Sequence, residues 1–202
     1  HEQGRKRILL ALHHSIEGGA NDVLSLGNFI RYLSFFESLP DRYPDIDFVY
    51  RPHPFLFATL RKPQFWGSKK VDEFIEMMRT ETNVVWNDDD NYFKVFAECD
   101  ACIQDCGSFL VEYQYTMKPC CYMLKSPEDI DTKFVTLGKK CLDQCYIAYD
   151  TDTIDWFIQE VVINGNDEKS ESRKQLCDEI MVNYPHASDV ALDNIKISLG
   201  IK

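Results

Sequence analysis

The chain has 202 residues, enough for one large domain with a substantial core, and its 45% apolar and 27% charged content is that of a globular protein. Its 22 Lys and Arg against 33 Asp and Glu leave a net charge of −11, which argues against a general nucleic-acid binder, whose surface carries a basic footprint. No apolar run approaches the ~20 residues of a membrane-spanning helix, and no secretory leader pattern precedes the first predicted strand.

The first element, "RILLALHH" (7–14), reads as a buried strand. "HSIEGGAND" follows as a loop with two glycines. "VLSLGNFIRYLSFFESL" (23–39) has apolar residues at helical spacing and is expected to stop at Pro40. "DFVYRPHP" (47–54) is the second strand, and "SKKVDEFIEMMRT" (68–80) an amphipathic helix with Ser68 as its expected cap. "NVVW" (83–86) is a short strand, and "NDDDNYFKVFAEC" (87–99) turns into another helix. "DACIQD" (100–105) is a strand and "SFLVEYQYTM" (108–117) a helix, broken by Lys118-Pro119. "CCYML" (120–124) and "CYIAYD" (145–150) are strands, and "TDTIDWFIQEVVI" (151–163) is a helix with an Asp or Thr cap. Two helices close the chain, near 172–182 and 188–199.

Strands alternate with helices throughout, the pattern of a single α/β domain over residues 1–202: a Rossmann-like, open, mostly parallel sheet with helices on both faces. Ligands of such sheets bind beyond the carboxyl ends of the strands. The residues placed there are His13, His14 and Ser15 after the first strand, Arg51 and His53 after the second, and Asp105, Gly107 and Ser108 after the fourth.

His53 stands between Pro52 and Pro54, which restrict its backbone. An imidazole so held can donate a hydrogen bond to a phosphate oxygen with little motion left to freeze, and beside a departing nucleotide it can stabilise the developing charge. Gly107 permits a tight strand-to-helix turn, and Ser108 takes the cap position. The amides of Ser108, Phe109 and Leu110 then point out of the helix start and favour an anion. Glu112 is one residue too far along for a capping box and is placed to accept hydrogen bonds from ribose hydroxyls. Asp88-Asp89-Asp90 read as a solvated helix N-terminus, and Trp66, Trp86 and Trp156 as core or interface residues. Ser188, just after His186, is the expected cap of the last helix and a secondary candidate for the ligand.

Eight cysteines include the cluster Cys99, Cys102 and Cys106. A strand points adjacent residues to opposite faces, so these sulfurs do not converge on a metal, and buried thiols in a reducing cytoplasm are the expectation. The chain opens on His1 rather than Met, and we expect a piece of a longer protein.

"RPHP" followed some fifty residues later by "DCGSFLVEYQYTMKP" resembles the C-terminal, nucleotide-binding half of the CDP-glycerol:poly(glycerophosphate) glycerophosphotransferases, the teichoic-acid polymerase type of enzyme with a GT-B fold. The resemblance runs from about residue 7 to 195 and includes the "HHSI" turn, where Leu12 stands in place of a proline, while Gly107 replaces the first serine of the family's Asp-x-Ser-Ser motif. It implies that His53 and Ser108 contact the donor's pyrophosphate, that Arg51 supports that site, and that Glu112 meets the ribose. It implies a CDP-type nucleotide as donor substrate, no cofactor and no metal. The implied partners are an N-terminal GT-B domain that carries the catalytic base and packs on the closing segment 184–202, and a polymer acceptor at the inner face of the cell membrane. The same stretch resembles the Asp-Ser-Gly-Gly…Glu-Glu…Gly-Lys-Pro segment of UDP-N-acetylglucosamine 2-epimerases, although Tyr113 follows Glu112 here. A nucleotide-binding module without chemistry is the third reading.

Overall fold

The computed structural model describes residues 4–16 and 26–201. Six strands form one fully parallel sheet in the order β3-β2-β1-β4-β5-β6, with β1 at Lys6–Ala11, β2 at Ile46–Tyr50, β3 at Val84–Trp86, β4 at Ala101–Gln104, β5 at Cys120–Met123 and β6 at Tyr146–Ala148. The strand order reverses between β1 and β4, so the loops leaving these neighbours diverge to opposite faces and open a crevice.

The strands are buried on both faces because each face feeds its own core. Ile8 and Leu10 of β1 join Phe48 and Tyr50 of β2 in one cluster. Leu9 and Ala11 point the other way, into a cluster with Val49, Cys102 and Tyr122. Helices α1 (Leu33–Arg42), α2 (Pro54–Leu60), α3 (Gly67–Thr80) and, beyond β6, the helix at Thr151–Trp156 cover the first face. Helices α4 (Tyr92–Glu98), α5 (Gly107–Glu112) and, after β5, those at Thr136–Asp143 and Ser170–Ile180 cover the second. Each large aliphatic side chain fully buried here contributes roughly 1.5–3 kcal/mol.

The structure redraws several boundaries. The helix expected over 23–39 begins only at Leu33, its first expected turn lying partly outside the described residues, and it continues through Pro40 to Arg42. Proline removes the N–H that would reach the Phe36 carbonyl, and the Tyr50 hydroxyl supplies that donor at 2.6 Å. Buried Asn83 then donates to the carbonyls of Pro40, Tyr43 and Ile46 at 3.0–3.1 Å, closing the helix end. The short helix α2 directly after "RPHP" was not expected from the sequence, nor were α6 (Asp129–Lys133) and α7 (Thr136–Asp143). The helix expected over 151–163 is α8 (Thr151–Trp156), capped by Asp150, and its second half winds as a π-helix. The chain closes with α9 (Ser170–Ile180) and α10 (Ala187–Leu199).

Ser68, Ser108 and Ser188 are not caps. The cap positions of α3, α5 and α10 fall on Trp66, Cys106 and His186, and each serine sits two residues later, inside its helix. Trp66 and Trp86 pack against the core, whereas Trp156 is 47% exposed.

Candidate functional site

Beyond the carboxyl ends of β1, β2 and β4 lies a crevice of about 460 Å³. Its lining includes His13, Arg51, His53, Cys106, Ser108 and Phe109, with Phe57 and Trp86 as an aromatic wall and Asp88 to Asp90 at the rim. A volume of this size suits a small organic ligand. The two motifs that follow β2 and β4 thus meet in one place.

The chain reaches this arrangement by extending its sheet ladder. The Arg51 amide donates to the Leu10 carbonyl at 3.0 Å and the His53 amide to the Leu12 carbonyl at 2.8 Å. Alternate residues of a parallel strand bond to the same neighbour, so Pro52, with no N–H, falls where β1 needs no donor. Pro54 then occupies the first position of α2, where its missing N–H has no intrahelical role. His53 is the cap residue of this helix: its Nδ1 accepts the Phe55 amide at 3.1 Å. The rigidity around His53 therefore serves a strand-to-helix turn, and that same turn decides the imidazole's chemistry. With Nδ1 accepting, the neutral ring carries its proton on Nε2.

The same logic holds His13. Ser15 Oγ accepts the amides of Leu26 at 2.9 Å and Gly27 at 3.3 Å, which leaves its hydroxyl proton for His13 Nδ1 at 2.7 Å. The Ser15 amide also faces that nitrogen at 3.3 Å. His13, like His53, is fixed as an Nε2–H donor by its hydrogen-bond pattern. A Cβ on Gly27 would stand 2.9 Å from the Ser15 carbonyl oxygen and 3.0 Å from that of His13, so only glycine lets the 26–28 segment approach this closely.

Three imidazoles converge. The His14 ring lies 4.3 Å from His13 and 4.2 Å from His53, centroid to centroid, and His13 to His53 is 5.8 Å. Among the described residues, the buried His14 Nδ1 has no hydrogen-bond partner. Burial, then the neighbouring His14 and His53, push His13 from 6.5 down to about 4. Burial and His14 also lower His53. Both rings are neutral at pH 7, so Arg51, whose guanidinium donates to Asn87 Oδ1 and lies over the Tyr92 ring at 6.0 Å, supplies the full positive charge at the crevice wall. Among the described residues no group of three or more His, Cys, Asp or Glu is placed to hold a metal ion.

At the opposite wall Cys106 caps α5 and Gly107, Ser108 and Phe109 form its first turn. The first intrahelical bond is from the Leu110 amide to the Cys106 carbonyl at 3.2 Å, so the outward amides are those of residues 107 to 109, one earlier than the sequence suggests. Because Ser108 is not a cap, its exposed hydroxyl is free to face the crevice. Gly107 does not adopt a positive φ, and a Cβ there would meet only Leu26 Cδ1 at 3.6 Å, an ordinary contact, so the turn itself does not demand glycine.

Glu112 is absent from the crevice lining. It borders a separate depression with Phe93, Phe96, Ala97, Tyr115, Thr116 and Lys118, and it raises the Tyr92 hydroxyl's pKa, after burial, through a hydrogen bond. Ser188 is exposed on α10 and outside the crevice. All eight cysteines are buried, and burial pushes the Cys106 thiol up.

Sequence reading missed Asp105 as an anchor, and with it Asn28 and Gly27. The first was singled out only by its place after β4, and the other two stand inside an expected helix. The roles of Asp105 and Asn28 depend on contacts across 77 and 92 residues of chain, and that of Gly27 on one across 12, which local pattern does not record.

No protein-family model matches the sequence, and no curated protein matches it significantly. Among solved structures, the S. aureus MnaA-UDP co-structure superposes with a TM-score of 0.51 at 15% identity, covering 98% of this chain and 47% of that one. The UDP-GlcNAc 2-epimerase from Neisseria meningitidis, bound to UDP-GlcNAc, gives 0.50 at 15% identity over 84% of this chain and 39% of that one. The chain thus spans less than half the length of these structures, and its fold is that of one Rossmann-like half of a GT-B architecture.

Proposed function

We propose that the chain is the donor-nucleotide-binding half of a two-domain transferase that moves glycerol phosphate, another polyol phosphate or a sugar from a CDP-type donor to a cell-surface polymer. The observation that carries this reading is the shared crevice: two imidazoles fixed as Nε2–H donors, a guanidinium and the first turn of α5 all face one cavity at the strand-order switch. A pyrophosphate has acceptor oxygens on every side, and this wall offers donors. Each hydrogen bond to a charged phosphate contributes roughly 1.5–3 kcal/mol. His53 and His13 would strengthen their bonds as charge grows on a departing nucleotide, which is stabilisation of the transition state rather than of the bound donor.

The catalytic base belongs, in this reading, to an N-terminal domain outside this chain. The closing helix would dock there: α10 buries none of its residues, and Leu192, Ile195, Ile197 and Leu199 are at least half exposed. The isolated chain then binds nucleotide without turnover. Titration with CDP and UDP by calorimetry tests the proposal. Micromolar-range binding of CDP that is tighter than UDP supports it, and binding of neither removes it.

The second reading, a UDP-sugar 2-epimerase-like domain, is favoured by the structural neighbours that hold UDP and UDP-GlcNAc. Tighter binding of UDP than of CDP would select it.

A further inference from the structure

Asp105 is, among the described residues, the one fully buried carboxylate at the crevice end of the sheet, and nothing in the nucleotide-binding reading uses it. It lies behind the wall, one residue before Cys106, and does not line the cavity. Its Oδ1 accepts the His13 amide and its Oδ2 the Asn28 amide, both at 2.6 Å. Burial pushes its pKa from 3.8 up to about 7, against the pull of those two amides and of Lys125. An amide side chain would avoid that desolvation, but it could accept on one atom only. Two facing N–H groups need two acceptors.

We propose that Asp105 is a positioning residue for the nucleotide site: by accepting two backbone amides at once, it sets the His13 imidazole as an Nε2–H donor toward the crevice. The chain of contacts is continuous. Asp105 holds the His13 backbone directly. Through Asn28 it holds the 26–28 segment, which Asn28 Nδ2 further ties to the Leu26 carbonyl at 2.8 Å. Leu26 and Gly27 donate to Ser15 Oγ, and that oxygen's proton is thereby turned to His13 Nδ1. Losing either carboxylate oxygen breaks the chain at His13 itself or at the segment that orients Ser15. Among the described residues, the groups facing the His13 ring are Ser15 and His14 from its own loop and His53 from the β2 end, with Arg51 and the exposed Asp88 to Asp90 across the cavity.

The proposal rests on the nucleotide-binding reading for its purpose, and its test separates the two. In the full chain, Asp105→Asn and Asp105→Glu are compared with wild type for thermal stability, for CDP and UDP affinity, and for the His13 tautomer read from its imidazole resonances at about pH 8, where Asp105 is a carboxylate. Wild-type His13 holds the neutral Nε2–H form at this pH. We expect Asp105→Asn to weaken nucleotide binding about tenfold without a matching loss of stability, and its His13 ring to lose the single Nε2–H tautomer as its hold loosens. Partial recovery is expected in Asp105→Glu. A folded Asp105→Asn with wild-type affinity and an unmoved His13 signal overturns the proposal. If wild type binds neither nucleotide, the functional reading fails, while the His13 resonances still decide the role of Asp105. Should Asp105→Asn not fold, Ser15→Ala carries the test: an unchanged His13 tautomer and unchanged affinity there would overturn it.

Discussion

The crevice wall and the closing helix are built by opposite means. At the ends of β1 and β4, polar groups are held by partners 77 to 92 residues away, and the position of each imbeds the whole sheet. Helix α10 is held by its own turns, ends at Gly200 with φ 64° and buries none of its residues. One region owes its geometry to tertiary contact and the other to local propensity. The difference teaches where perturbation should matter: a methyl group at the wall should cost more than a polar atom on the helix.

The strongest way to break that contrast is Gly27→Ala. Its Cβ meets backbone oxygens at 2.9 and 3.0 Å that cannot swing aside. We expect a loss on the order of 1–3 kcal/mol in denaturant unfolding, with nucleotide binding weakened in parallel. Unchanged stability would show that the segment is not clamped against the loop.

His53 sharpens the comparison because its two nitrogens do separate jobs. His53→Ala removes both the cap and the donor, so affinity should fall tenfold or more and stability by about 1 kcal/mol. His53→Asn keeps a side chain that caps well but does not reach into the crevice. It should retain stability while losing affinity, a split readable by calorimetry beside thermal melts.

The pH dependence follows from the same hydrogen bonds. His13, at about 4, and His53, also lowered, are neutral at pH 7, and a second proton on either Nδ1 would displace the donors from Ser15 and Phe55. Asp105, at about 7, accepts both of its amides only as the carboxylate. Nucleotide affinity should therefore fall as pH drops from about 8 toward 6, readable by calorimetry. Flat affinity in this window would mean that the charge of Asp105 does not reach the site. Asp105 works in the other direction on folding. Its value of about 7 lies above the ordinary 3.8, so the cost of burying its charge is absent below about 4 and is complete once pH has risen through 7. Wild type should thus lose thermal stability relative to Asp105→Asn as pH is raised through that window.

The smallest effect is expected on the closing helix. Ile195→Ser and Ile197→Ser change side chains that are 54% and 76% exposed, and unfolding of this chain should move by no more than about 0.5 kcal/mol.

These regions also show what local pattern can say. The parallel sheet was legible because its strands are short apolar runs between helical periodicities, and all six fall where such runs occur. His53 and Ser108 were legible as crevice residues because they follow strands β2 and β4. The capping serines were not. A helix start is set by where the preceding strand or turn releases the chain, and in α3, α5 and α10 that point precedes the serine by two residues. Helix α2 was hidden because Pro-His-Pro reads as a rigid turn, whereas Pro54 is the first helical residue and His53 its cap. The start of α1 was hidden because Leu26, Gly27 and Asn28 look helical by spacing but are spent on Ser15 and Asp105.

The amides of Arg51 and His53 continue the β2–β1 ladder past the last strand residue and into the crevice wall. Solvent deuterium can reach these two N–H groups only when the chain after β2 parts from β1, the pairing next to the β1–β4 centre of the sheet. Their protons should be among the last to exchange, at a rate reporting global opening rather than local fraying. The part of the crevice wall built on this ladder would then be as slow to breathe as the interior.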